Sequence, residues 1–148
     1  MRIKTKYIYI IIFLVVILLF NMPRILWEVS KSKDLNVFIV DKTVPDETYR
    51  EHKSLVWILN NQKYVKSEGK SSYEYKNDYY GFFPKANKEY EISDKLDIPT
   101  NTNLIYIADT YGVYTEEYYG DSKKGNKSER IYGGITLDEV NIIKKAVY

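Results

Sequence analysis

The chain has no cysteine and a single histidine in 148 residues. The first absence excludes disulfides, thiolate metal sites, a cysteine nucleophile and lipid attachment through a lipobox thiol. The second leaves His52 as the default general base of any enzyme reading. His52 stands one helical turn before Leu55-Val56, away from any strand end, so the expectation is a helix-surface or half-buried packing residue. Phosphate-binding signatures are absent too. Gly133-Gly134 precedes a helix start, but neither G-x-G-x-x-G nor G-K-[ST] occurs.

One long stretch lacks charge altogether. MRIKTK carries three cations in six residues, and YIYIIIFLVVILLF (Tyr7–Phe20) follows with none. Fourteen helical residues reach about 21 Å, short of a hydrocarbon core of about 30 Å. Extension through Asn21–Trp27 makes up the difference, with Lys6 and Arg24 placed to snorkel and Trp27 suited to the headgroup level. A cleaved signal peptide is the competing reading. Its only small-x-small candidate, Ser30-Lys31-Ser32, lies about a dozen residues past the apolar run. An uncleaved, single-pass anchor in the lipid bilayer through residues 7–27 is therefore expected. Arg2, Lys4 and Lys6 favour a cytoplasmic N-terminus, with the bulk of the chain extracytoplasmic at the cell membrane.

Charge divides along the same line. Residues 1–33 hold six cations and one acid, whereas residues 34–148 hold sixteen cations and nineteen acids. The basic character belongs to the anchor, and the mildly acidic remainder argues against nucleic acid as a partner. The expected division is a basic tail (1–6), the anchor (7–27), a linker (28–34) and an α/β domain (35–148). That domain is expected to be incomplete at its C-terminus.

Within it, LNVFIVD (Leu35–Asp41) is apolar without alternation, as in a parallel strand covered on both faces. Thr43-Val-Pro-Asp46 resembles a capping box, and the spacing predicts a helix from there to Asn60-Asn61. A hairpin is expected around Glu68-Gly69, a packed loop at KNDYYGFFP, a short strand at Glu89–Ile92 and a turn at Asp97–Asn103. NLIYIAD (Asn103–Asp109) reads as a second apolar strand, followed by a long polar loop over 110–134 whose tip is Asp121–Arg130. Thr136-Leu-Asp-Glu139 is a full T-x-x-E box. It opens a helix whose apolar side is Leu137, Val140, Ile143 (or Ile142) and Val147.

VFIVD, a capped helix, NLIYIAD and the GGITLDEVNIIKKAV helix together resemble the N-terminal half of the class I glutamine amidotransferase-like superfamily, in its membrane-anchored bacterial branch of unknown function. The resemblance covers about residues 35–148. It implies an α/β fold: an N-terminal transmembrane helix, then a partial doubly wound, mainly parallel sheet in flavodoxin-like order. The nucleophilic cysteine of that superfamily's amidotransferases has no counterpart here, so no catalytic residue is carried over.

In open α/β sheets ligands bind outside the strand carboxyl ends. Asp41 and Asp109 end the two best strands. If those strands are neighbours, the carboxylates flank one crevice; the plainer alternative is that each caps its own loop. Candidate ligand-binding residues are Asp41, Thr43, Asp109, Thr110, Tyr111 and Tyr114. With no third ligand, neither a metal site nor a cofactor is expected. Tyrosines in SSYEYKNDYYGFFP and DTYGVYTEEYYG suit stacking on sugar rings or a protein interface, or else pin loops to the sheet. The resulting expectation is a non-catalytic domain that binds envelope carbohydrate or a protein partner. The alternatives are the first part of an envelope hydrolase and a structural scaffold.

Overall fold

The computed structural model describes residues 5–120 and 128–147. The chain divides into two units, Met1–Lys31 and Ser32–Tyr148.

In the first unit, the uncharged run forms a single helix, α1 (Thr5–Val29). Its 25 residues extend about 37 Å, enough to cross a hydrocarbon core. Two residues that would trouble such a helix are accommodated. Asn21 satisfies its own amide by donating from Nδ2 to the Ile17 carbonyl at 2.8 Å, and Pro23 sits inside the last two turns. Large apolar side chains are exposed along its length, Phe20 at 85%. Among the described residues this is the one helix long and apolar enough to span a membrane.

The second unit mixes helices and strands. In chain order its elements are β1 (Lys33–Asp34), β2 (Val37–Asp41), α2 (Arg50–Asn61), β3 (Tyr64–Val65), β4 (Tyr80–Pro84), a 3-10 turn at Ala86–Lys88, β5 (Tyr90–Ile92), β6 (Leu104–Asp109), β7 (Val113–Tyr114), α3 (Thr115–Tyr119), β8 (Arg130–Tyr132) and α4 (Leu137–Val147). The main sheet has the order β5-β4-β2-β6, with β2 parallel to β4 and to β6 and with β5 antiparallel at one edge. β1 with β3, and β7 with β8, form two separate two-stranded sheets. The two apolar strands are thus direct parallel neighbours, with Asp41 and Asp109 paired in register after an irregularity at Val40/Asp41.

Alternation along β2 organises the packing. Val37 and Ile39 meet Val56 and Leu59 of α2, together with Tyr49, Tyr73 and Tyr79. The opposite set carries Phe38, 6.4 Å from the Tyr80 ring, and the buried Val40. A second cluster gathers Phe82, Val113 and Tyr118, with Ile131 and Tyr132 against it.

Several local expectations are corrected. Thr43–Asp46 does not cap α2: the helix starts at Arg50, after Tyr49 in a left-handed conformation (φ 52°) and without a side-chain cap. Asp46 instead accepts from the Thr48 backbone at 2.8 Å, closing a small turn of its own. Glu68-Gly69 does form a turn, closed by Lys66 N–H to the Ser71 carbonyl at 2.9 Å, but β3 pairs in parallel with β1, so no hairpin follows. That pairing also takes Lys33-Asp34 out of the linker. KNDYYGFFP supplies the interior strand β4, because Tyr79 and Phe82 bury their rings (8% and 0% exposed). The long polar loop holds β7, α3 and β8, and the part of its tip at 121–127 lies outside the described residues. In α4, Leu137 (83%) and Val147 (61%) are exposed, and Val140, Ile142 and Ile143 are half-buried. The reason lies in Glu139, the buried residue of this helix, whose pairing fixes how α4 is turned.

Tyrosines pin loops. Tyr73 donates to the Leu35 carbonyl and accepts from Val37 N–H (2.9 Å), Tyr79 donates to the Phe82 carbonyl (2.6 Å), and Tyr118 donates to that of Glu89.

Candidate functional site

The carboxyl end of β2 concentrates the polar chemistry of the domain. Asp41 and Lys42 are consecutive and both buried (0% and 4% exposed), and they are paired with different helices. Asp41 Oδ2 lies 2.6 Å from His52 Nδ1, in the first turn of α2, and Asp41 Oδ1 accepts from Thr43 N–H at 3.0 Å. His52 Nε2 is 2.7 Å from the Tyr75 carbonyl. A carbonyl only accepts, so Nε2 carries a hydrogen, and a single proton lies between Nδ1 and the carboxylate. Imidazolium with carboxylate, or imidazole with carboxylic acid, the unit is neutral in either form. Tyr79 stacks on it with ring centroids 4.5 Å apart, and burial pushes the Tyr79 hydroxyl far above its usual range.

Lys42 turns toward α4. Its Nζ donates to Glu139 Oε1 at 2.6 Å and to the Gly134 carbonyl at 2.8 Å, and lies 5.3 Å and 5.7 Å from the centroids of the Tyr132 and Tyr80 rings. Glu139 also accepts from the Tyr80 hydroxyl (3.0 Å) and the Thr136 N–H (2.8 Å), while its own N–H donates to Thr136 Oγ1 at 3.2 Å. The capping box is formed, and its acid has a second employment in the core. Burial works to raise the Glu139 carboxyl, but hydrogen bonds from Lys42, Thr136 and Tyr80 outweigh it and hold the group below its usual range. Burial raises the Tyr80 and Tyr132 hydroxyls.

The glycine pair has a steric task. A Cβ on Gly133 would meet the Gly112 Cα at 2.2 Å, and one on Gly112 would meet the Tyr132 carbonyl oxygen at 2.2 Å. Both residues have positive φ (133° and 110°), so the two segments cross backbone to backbone.

The proposed site residues therefore separate. Asp41 and Thr43 are interior: Thr43 Oγ1 accepts from Gly112 N–H at 2.8 Å and ties the two loops together. Asp109 and Thr110 are half-buried. Asp109 Oδ1 accepts from Tyr111 N–H at 2.6 Å, its carbonyl takes Lys42 N–H at 2.8 Å, and the Thr110 carbonyl accepts Gly134 N–H at 2.7 Å. Tyr111 is 65% exposed and Tyr114 half-buried, their ring centroids 5.0 Å apart at 36°. Asp41 and Asp109 are neighbours in register but not a facing pair of carboxylates, because strand alternation sends Asp41 to α2. The sequence reading missed His52, Lys42, Tyr80 and Glu139 as partners. The one available signal was the T-x-x-E box, which fixes Glu139 at a helix start facing the strand ends.

Comparison of the chain with protein-family models, with curated proteins and with solved structures finds no match.

Proposed function

We propose that the chain is a membrane-anchored, extracytoplasmic α/β domain of the amidotransferase-like, flavodoxin-like type. In this reading it binds a ligand or partner at the strand carboxyl edge without catalysing a reaction. The observation that carries it is the exposed Tyr111–Tyr114 pair on the turn directly after Asp109. At this edge Asp41, His52, Lys42 and Glu139 are committed to internal pairs, so what faces outward is two aromatic rings beside a half-buried carboxylate. Rings flanked by acid and amide groups match the apolar faces and hydroxyls of a sugar, which favours envelope carbohydrate as the ligand. The parallel β2–α2–β4 crossover and the β2–β6 neighbourhood support the fold-family resemblance.

The test is retention of the detergent-solubilised full chain on insoluble peptidoglycan. Tyr111→Ala with Tyr114→Ala is expected to weaken retention about tenfold, equivalent to about 1.4 kcal/mol, with unchanged thermal stability. Asp109→Asn should weaken it in the same direction. Retention that is absent in the parent chain, or equal in the variants, overturns the carbohydrate reading.

The lack of cysteine makes topology directly measurable. Ser72 is exposed in the loop after β3. A Ser72→Cys variant is expected to react with a membrane-impermeant maleimide in intact cells. Labelling only after lysis reverses the assigned orientation.

A further inference from the structure

We infer that the outward face of α2 is a second membrane contact, seated in the headgroup layer of the bilayer that α1 crosses. The inference rests on the anchored reading of α1. It begins from the stripe that α2 leaves uncovered. His52, Val56 and Leu59 are buried, while Lys53, Ser54, Trp57, Ile58 and Asn61 are exposed on the opposite side. Single exposed apolar residues are ordinary on a protein surface. Here, however, a tryptophan (65% exposed) and an isoleucine (50%) stand side by side.

Position identifies what covers them. The chain enters the second unit at β1, and Lys33 N–H donates to the Lys63 carbonyl at 2.9 Å. Lys63 N–H in turn donates to the Asn60 carbonyl (3.0 Å), and Gln62 N–H to the Ile58 carbonyl (2.9 Å). The entry point is therefore hydrogen-bonded to the C-terminal turn of α2, next to Trp57 and Ile58. Only Ser30–Ser32 separate α1 from β1, a stretch of about 10 Å at full extension. A helix that ends at the bilayer surface thus holds this edge of the domain at headgroup depth. Tryptophan, with an apolar body and one N–H donor, is the side chain best suited to that layer. Lys53, on the same stripe, has the long stem and terminal charge that snorkel. The short tether means that modest affinity suffices, because the patch and the membrane are held at high effective concentration.

The chain's two tryptophans, Trp27 and Trp57, report on the anchor and on the patch separately. The full chain is reconstituted in vesicles of phosphatidylcholine and phosphatidylglycerol as two single-tryptophan variants, Trp27→Phe and Trp57→Phe. Aqueous iodide and lipids brominated near the headgroup serve as quenchers. Trp57 is expected to lose most of its iodide quenching in vesicles relative to detergent, and to be quenched by the brominated lipid. Ile58→Ser, at an exposed position, is expected to restore iodide access to Trp57. If Trp27 is shielded and Trp57 stays as open to iodide as in detergent, the anchor stands and the docking is overturned. Iodide access to Trp27 in vesicles overturns both. Shielding of Trp57 that appears in detergent and rises with protein concentration assigns the face to a second copy and overturns the membrane contact.

Discussion

His52→Ala is expected to destabilise the domain by about 3–5 kcal/mol, a fall in Tm of roughly 10–20 °C. Domains of this size have about 5–15 kcal/mol in total, so the variant approaches the limit of folding. The physical cause is the group left behind. With the imidazole gone, Asp41 keeps one hydrogen bond, from Thr43 N–H, and must hold a carboxylate at 0% exposure without its partner. The Tyr75 carbonyl also loses its donor. Asp41→Asn should be far milder, costing about 1 kcal/mol. Its amide oxygen still accepts from Thr43, its NH₂ donates to His52 Nδ1, and Nε2–H remains free to hold Tyr75. The double variant, His52→Ala with Asp41→Asn, should therefore recover part of the His52→Ala loss, since the buried charge is no longer there. Urea denaturation of the solubilised chain followed by circular dichroism gives all three values. A His52→Ala cost within about 0.5 kcal/mol would show that the pair is not what holds α2 to β2.

This pair also marks the boundary of what the sequence discloses. Elements with strong local signals were legible: the uncharged run of α1, VFIVD and NLIYIAD as apolar strands, and the T-x-x-E box of α4. The short strand at Glu89–Ile92 and the end of α2 at Asn61 were legible for the same reason. Long-range pairing was not. His52 reaches Asp41 because α2 begins at Arg50 behind a left-handed Tyr49. That start differs from the one Thr43–Asp46 announces by several residues, and a helix shifted by even one position turns each side chain by about 100°. β4 was hidden because aromatic residues between a turn and a proline satisfy a packed loop as well as a strand, and its two neighbours in the sheet are remote in sequence. Of the candidate site, the edge and the tyrosines after Asp109 were visible. That Asp41 belongs to the interior was not, because burial depends on which element covers a strand end.

The other residue at that strand end carries a prediction with a change of sign. Lys42→Met is expected to cost about 3 kcal/mol at neutral pH, at the lower end for a broken buried pair because the Glu139 side chain keeps 11% exposure. In the parent chain the Glu139 carboxyl is held below its ordinary 4.5, where burial is outweighed by bonds from Lys42, Thr136 and Tyr80. A folded-state value below the unfolded one contributes stability that is present above about 4.5 and is lost as pH falls through the lower folded value. Removing the Lys42 ammonium leaves burial as the largest influence and lifts the carboxyl above its ordinary value. The contribution then reverses: Glu139 is best tolerated protonated, and stability from this group falls as pH rises through the raised value. Glu139→Gln removes the titration from both backgrounds and serves as the reference. Thermal unfolding between about pH 3 and pH 7 should give a parent curve that declines toward acid relative to Glu139→Gln. The Lys42→Met curve should rise toward acid relative to Lys42→Met with Glu139→Gln. Parallel curves for all four proteins would mean that the ion pair contributes nothing, and that α4 is seated by Val140, Ile142 and Ile143 alone.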